Sequence, residues 1–172
     1  MPVELPPLPE ALARRPVDRR GYPIPWSVVI GADGVPDFRS MHPTRWLAAV
    51  ERRLCALCGG YLGVPSRGAW FVGGPLCQGN RLFTDPAMHE ACARFALQVC
   101  PFLAAPRMHY STRPPPPGFG IAASVSPDRP DRFMLGHAWG RWAIVRNGAD
   151  MLIRASPWLS VEWWREGKPL AG

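Results

Sequence analysis

Four residues constrain this chain more than any others. Cys55-x2-Cys58 is followed, after thirty intervening residues, by His89-x2-Cys92. Zinc seeks four soft or borderline donors in a tetrahedron, and a structural site closes that tetrahedron with Cys and His. A Cys-x-x-Cys turn flanked by Gly59-Gly60 aims two thiolates at one point, and the N–H groups of the turn help to hold their charge. His89 and Cys92 lie three apart, so they share one face of the first turns of a helix. A helix N-terminus also favours the anionic thiolate. The spacing predicts one Zn2+ held by Cys55, Cys58, His89 and Cys92.

The remaining cysteines fit this reading unevenly. There are five, at 55, 58, 77, 92 and 100, and an odd number clustered within 46 residues argues against a disulfide framework. A redox Cys-x-x-Cys would follow a βαβ pattern, and none precedes Cys55. Cys77 stays open. It reads as a small buried hydrophobe, as a substitute for His89 in the ligand set, or as a nucleophile near a metal or a His. Cys100, before Pro101, reads as core at a helix end.

The chain around these residues is punctuated. Its 22 Pro and 17 Gly exclude long uninterrupted helices, and with them a coiled coil or an all-α bundle. With 47% hydrophobic and 19% charged residues the chain can still bury a core. No run of about 18 apolar residues occurs, so no transmembrane helix is expected. The start, Met1 to Pro9, has no basic segment followed by an apolar one, so no secretory signal and a cytoplasmic location are expected.

Local patterns predict an α+β fold. Residues 1–20 read as a Pro- and Arg-rich arm, loosely packed. Trp26–Ile30 and Val35–Phe38 read as strands around Ala32-Asp33-Gly34, and 43–54 as a short amphipathic helix opened by Pro43. Ala69–Val72 reads as a strand, and Leu76–Phe83 as the arm that pairs back on it. Asp85-Pro86 reads as the start of a helix that ends near Cys100, before Pro101. Knuckle, hairpin and helix together make a treble-clef-like zinc finger over 21–110. Residues 111–118, with four prolines, read as a stiff linker or loop. An antiparallel sheet over 119–172 is expected to pack on the finger, with a strand at Phe119–Val125. Its clearest hairpin turns at Asn147-Gly148. That turn pairs Ile144 with Met151, Trp142 with Ile153, Ala143 with Leu152, Val145 with Asp150 and Arg141 with Arg154.

Several segments also resemble a family of small uncharacterised proteins from bacteria and their phages. They are Tyr22–Trp26, Gly34–Arg39, Cys55–Cys58, Phe71–Cys77, His89–Ala93 and Cys100–Leu103, with a weaker echo at Val161–Arg165. The resemblance implies a shared fold and the metal motif, and no activity.

Charge points to partners. The net charge is +7, and Lys168 is the only lysine among 20 cationic residues. Arginine holds phosphate bidentately and stacks on bases, although a GC-rich genome would also enrich Arg, Ala, Gly and Pro together. The segment 132–165 mixes arginine with tryptophan, and Arg141, Arg146, Arg154 and Arg165 are the candidate nucleic-acid contacts. Arg141 opposite Arg154 would repel without an anion between them. A nucleic-acid-binding or regulatory module is therefore one reading. A second is a protein-interaction adaptor with purely structural zinc, docking through its Pro-rich arms. A third is a small-molecule enzyme using a cleft near Cys77, with Asn80 or His109 as further actors. A His-Asn-His nuclease is disfavoured because no His lies between Cys58 and His89. His109 and His137 read as ordinary surface or turn residues. A binding role is expected ahead of a catalytic one, with no membrane partner.

Overall fold

Short elements are what so much proline and glycine allows, and here they are stabilised by pairing strands from distant parts of the chain. The structure is a computed structural model that describes residues 5–106, 111–122 and 128–172. Among them are strands β1 (Val28–Ile30) and β2 (Pro36–Met41), helix α1 (Pro43–Arg52), strand β3 (Ala69–Gly73), helix α2 (Leu76–Asn80) and strand β4 (Leu82–Phe83). Helices α3 (Glu90–Val99) and α4 (Pro101–Ala104) follow, then strands β5 (Phe133–Ala138), β6 (Trp142–Asn147), β7 (Asp150–Ala155), β8 (Trp158–Arg165) and β9 (Lys168–Pro169). The strands form three antiparallel sheets, ordered β1-β2, β3-β5-β8-β9 and β4-β7-β6. The fold is α+β, as the patterns predict. None of the described helices is long and apolar enough to cross a membrane.

The expected hairpin between the two ligand pairs does not form. Pro75 has no N–H for a ladder and sits in the helical region at φ −58°, so Leu76–Asn80 turns into α2. β3 pairs instead with β5, placing Phe71 opposite Gly136, and β4 pairs with β7, placing Phe83 opposite Ile153. Strands from the middle and from the end of the chain thus share each larger sheet. The helix after Asp85-Pro86 also begins late, at Glu90. Met88 exchanges both backbone hydrogen bonds with Trp70, at 3.1 and 2.8 Å, and the Ala87 carbonyl accepts from Ala56 N–H. Those bonds hold the approach to the helix extended.

The C-terminal hairpin forms in another register. Asn147 pairs with Asp150, so Gly148-Ala149 is the two-residue turn, and Gly148 takes φ +60°. Glycine at the first central position suits a type II′ turn, whereas the expected type I′ needs positive φ at both. Ile144 therefore faces Ile153, and Arg154 faces Ala143 rather than Arg141. Each partner moves by two residues, so the side chains keep their faces. The arginine opposition is removed.

Two further expectations change. Leu12 is only 2% exposed and belongs to the main core cluster, so the segment 1–20 is not wholly a loose arm. Residues 119–122 form no strand, and 123–125 lie outside the described residues.

The core that fixes the metal-ligand segments is aromatic. Phe71 meets Phe83 at 4.9 Å, Trp142 at 6.2 Å and Trp158 at 6.3 Å between ring centroids. These contacts join the two larger sheets. Gly136 makes room for them, since a Cβ there would lie 2.5 Å from the Trp158 ring. Three indole N–H groups donate to carbonyls on neighbouring elements: Trp46 to Thr84, Trp142 to Val50 and Trp158 to Gln78. Arg94 on α3 donates to both oxygens of Glu162 on β8, at 2.8 and 2.6 Å, which locks α3 on the four-stranded sheet.

Candidate metal centre

The first ligand pair sits on a turn that closes itself. α1 ends where Arg53 adopts the left-handed conformation, and Leu54 bridges to Tyr61. Inside that bridge, Cys55 N–H donates to the Gly60 carbonyl and Gly59 N–H to the Cys55 carbonyl, each at 2.8 Å. Gly60 N–H then points at the Cys58 sulfur, 3.3 Å away. Gly59 is required twice over. Its φ is +76°, and a Cβ there would lie 2.7 Å from the Trp26 ring packed over the turn.

The second pair comes from the start of α3. His89 is the residue immediately before the helix, and Cys92 lies in its first turn. His89 N–H approaches the Cys55 sulfur at 3.5 Å, so each half of the site helps to hold the other. The donor atoms of Cys55, Cys58, His89 and Cys92 all lie within 4.8 Å of one another. A tetrahedron with metal–sulfur bonds of about 2.3 Å has edges of roughly 3.8 Å, so this spacing can close around one ion. Cys55 and Cys92 are fully buried, while Cys58 and His89 are half-buried.

The chemistry of the donor set fits a cation independently of spacing. His89 Nε2 lies 3.0 Å from the Tyr61 carbonyl, which can only accept, so Nε2 carries the proton. The neutral imidazole is then left with a bare Nδ1, and Nδ1 is the atom 3.3 Å from the Cys58 sulfur. A metal-ligating imidazole is typically oriented by such a bond on its other nitrogen. The sulfurs compete for protons. Hydrogen bonds from Cys55, Cys92, His89 and Gly60 N–H draw Cys58 strongly towards thiolate. The neighbouring sulfurs of Cys55 and Cys58 push Cys92 the other way. Without an ion, Cys55 first and then Cys58 push His89 up to about 10, towards the imidazolium, and a bound metal would take the place of that second proton on Nδ1. Three sulfurs this close cannot all ionise unless a positive charge sits among them. All five cysteines are free thiols, so no disulfide competes.

Cys77 is not part of this cluster and does not replace His89. It lies on α2, and burial pushes its thiol up, away from a reactive thiolate. Asn80 ends α2, and its side-chain oxygen accepts from Leu82 N–H at 2.9 Å. His109 lies outside the described residues. His137 is no turn residue. It is on β5, stacked on Trp70 with ring centroids 4.1 Å apart.

The four candidate arginines are exposed but do not share a surface. Arg146 and Arg154 project from opposite faces of the three-stranded sheet, as their register requires. Arg165 belongs to the other sheet and pairs with Asp131 at 3.1 Å. Arg141 precedes β6, beside a shallow cleft lined by Pro65, Ser66, Trp139, Arg141, Ser156 and Pro157. Trp139, 48% exposed, is one of the tryptophans of the mixed 132–165 segment, and its spacing does not set it apart from the others, because tryptophan near a strand is usually core. The orienting carbonyl of Tyr61 was equally invisible, since any residue supplies one.

No protein-family model, curated protein or solved structure matches this chain.

Proposed function

We propose that the chain is a zinc-binding protein whose metal is structural. The observation that carries this reading is the closed donor set. Three sulfurs and one oriented imidazole nitrogen supply four ligands, and a tetrahedral ion so held has no open position for water or substrate. Cys3His with a buried inner pair suits zinc better than a hard cation, which prefers oxygen. The ion would tie the end of α1 to the start of α3. The knuckle and the helix-borne pair are the two ends of a treble clef, and the reading as a treble-clef-like finger rests on those ends alone. Its link to the bacterial and phage proteins rests on the sequence resemblance alone. The test is metal analysis of freshly purified protein together with thermal unfolding in chelator. One zinc per chain and a chelator-dependent loss of cooperative unfolding are expected, because metal binding and folding are coupled. Metal-free protein that melts unchanged in chelator would overturn the reading.

A nucleic-acid-binding role is favoured by one specific surface. Trp139 offers an exposed stacking face beside Arg141, and the 3-10 turn Pro65–Arg67 adjoins it through the Gly140 N–H to Pro65 carbonyl bond at 2.9 Å. Arg67 and Arg141 are exposed and form no ion pair among the described residues. Stacking plus phosphate contact is what a single strand requires. An adaptor would show no such salt-sensitive affinity.

A further inference from the structure

A cavity of about 1770 Å³ is lined by residues of the β1-β2 hairpin, the Pro-rich segment, α1, α2, β4, α3, α4 and the β6-β7 turn. It is distinct from the metal centre. Phe38, Trp46, Phe95 and Val99 contribute to its apolar walls. Asp18, Asp33 and Asp37 also line it, and each holds an arginine: Arg20 at 2.8 Å, Arg113 at 2.9 Å and Arg39 at 2.6 Å.

Asp85 differs from these three. Its carboxylate meets the Thr84 hydroxyl, which donates at 3.2 Å, and forms no ion pair among the described residues. The residue is half-buried and lines the cavity. Burial pushes the carboxyl above its usual range, with the Thr84 bond opposing. A partly buried carboxylate without a positive partner is harder to ionise than one in water, and a cation brought beside it offsets that cost. Arg19, which also lines the cavity, is exposed. A mostly apolar pocket with a few placed polar groups is the ordinary form of a small-molecule site.

We propose that this cavity binds a ligand carrying one protonated amine on an apolar or aromatic body, with the amine seated on Asp85. The amine N–H groups donate to the carboxylate oxygen that Thr84 leaves free, and the body lies against Phe38, Trp46 and Phe95. The site calls for no covalent step. It extends the cleft near Cys77 from a catalytic reading to a binding one, since Cys77 and Cys100 line the same space with thiols that burial pushes up.

The test is calorimetric titration of the full chain with octylamine, phenethylamine and tryptamine, each beside its N-acetyl derivative. At least one amine is expected to bind, and at least tenfold more tightly than its uncharged derivative. Asp85→Asn should abolish that preference, while Asp33→Asn, which removes a paired carboxylate at the exposed rim, should leave it intact. Binding by none of the amines, equal binding of amine and derivative, or a preference that survives Asp85→Asn would each overturn the proposal. If Asp85→Asn fails to fold, the acetylation comparison on the unaltered protein still decides.

Discussion

His89 Nε2 donates to the Tyr61 carbonyl at 3.0 Å, and that bond turns Nδ1 towards the three sulfurs. The bond also ties the knuckle strand to the approach of α3. Removing the imidazole therefore removes one donor and one tether. His89→Ala is expected to weaken metal binding by at least about tenfold, whereas His89→Cys, which keeps four soft donors, should retain one ion per chain. Cobalt substitution reads this directly. The tetrahedral visible spectrum should persist in the Cys variant and collapse in the Ala variant. Equal spectra in both would show that His89 is not a ligand.

Gly59 tests the knuckle without touching a ligand. Alanine there is strained by the left-handed backbone, about 1–2 kcal/mol, before any contact is considered. Its Cβ would also strike Trp26. The Trp26 backbone is held, because its N–H donates to the Leu57 carbonyl and Arg45 donates to its carbonyl, and the Arg45 guanidinium lies over the ring, 5.8 Å from the centroid. Gly59→Ala should lower stability by more than the backbone term alone and weaken metal retention. Gly34→Ala, with positive φ but open space around it, should cost only the backbone term. Denaturant unfolding of the two variants separates strain from collision.

Asp37 and Arg39 set an acid limb. Burial opposes ionisation of Asp37, but the Arg39 side chain and backbone N–H outweigh it and hold the carboxyl below its usual range. A carboxyl depressed in the folded state contributes fully above its unfolded pKa, about 3.9, and loses that contribution as pH falls through the folded value. The pair is nearly enclosed, with side chains 11% and 10% exposed, so the charge-assisted bonds are worth about 1–3 kcal/mol. Asp37→Asn should be less stable than the parent by that amount at pH 7. The gap should close below about pH 4. Arg39 also donates to the Ser111 and Arg113 carbonyls, so the variant should expose the Pro-rich segment to proteolysis at neutral pH. A pH-independent gap would refute the assignment.

What the sequence revealed follows from how local each signal is. The Cys and His spacing needs only a turn and a helix start, and the four residues do converge. α1 was legible because Pro43 and the Trp46–Val50 spacing act within a few residues. The partners of β3 and β4 were not. Their strands pair with β5 and β7, more than fifty residues away, and nothing near Phe71 or Phe83 encodes that choice. The helix start at Asp85 failed for the same reason, because Trp70 captures Met88 from a distance. Asp85 looked like a cap, and only the tertiary fold leaves it facing a cavity.

Leu12 measures how firmly the first segment is attached. It is 2% exposed, within a cluster that includes Trp46 and Phe95, and the 3-10 turn Glu10–Leu12 presents it. Arg15 behind it donates to the Ile24 carbonyl at 3.0 Å. Leu12→Ala should cost about 2–5 kcal/mol through lost burial and a residual cavity. A loosely packed arm would show a change near zero, so thermal unfolding of this one variant distinguishes the two.

Trp139 and Arg141 carry the last prediction. If a single strand stacks on Trp139, truncation to Ala should cost about 1–3 kcal/mol of binding with little effect on stability, because the ring is half exposed. Arg141→Ala should weaken binding and reduce the salt dependence by about one counterion, as loss of a phosphate contact does. Arg165→Ala should change neither, since Asp131 already holds that guanidinium and the residue lies in the other sheet. Fluorescence anisotropy with a labelled oligo(U) strand, repeated from low to high salt, reads all three variants. Affinity that is absent, or that falls equally for Arg141 and Arg165, would remove this surface as a nucleic-acid site and leave an adaptor as the better account of the exposed arginines.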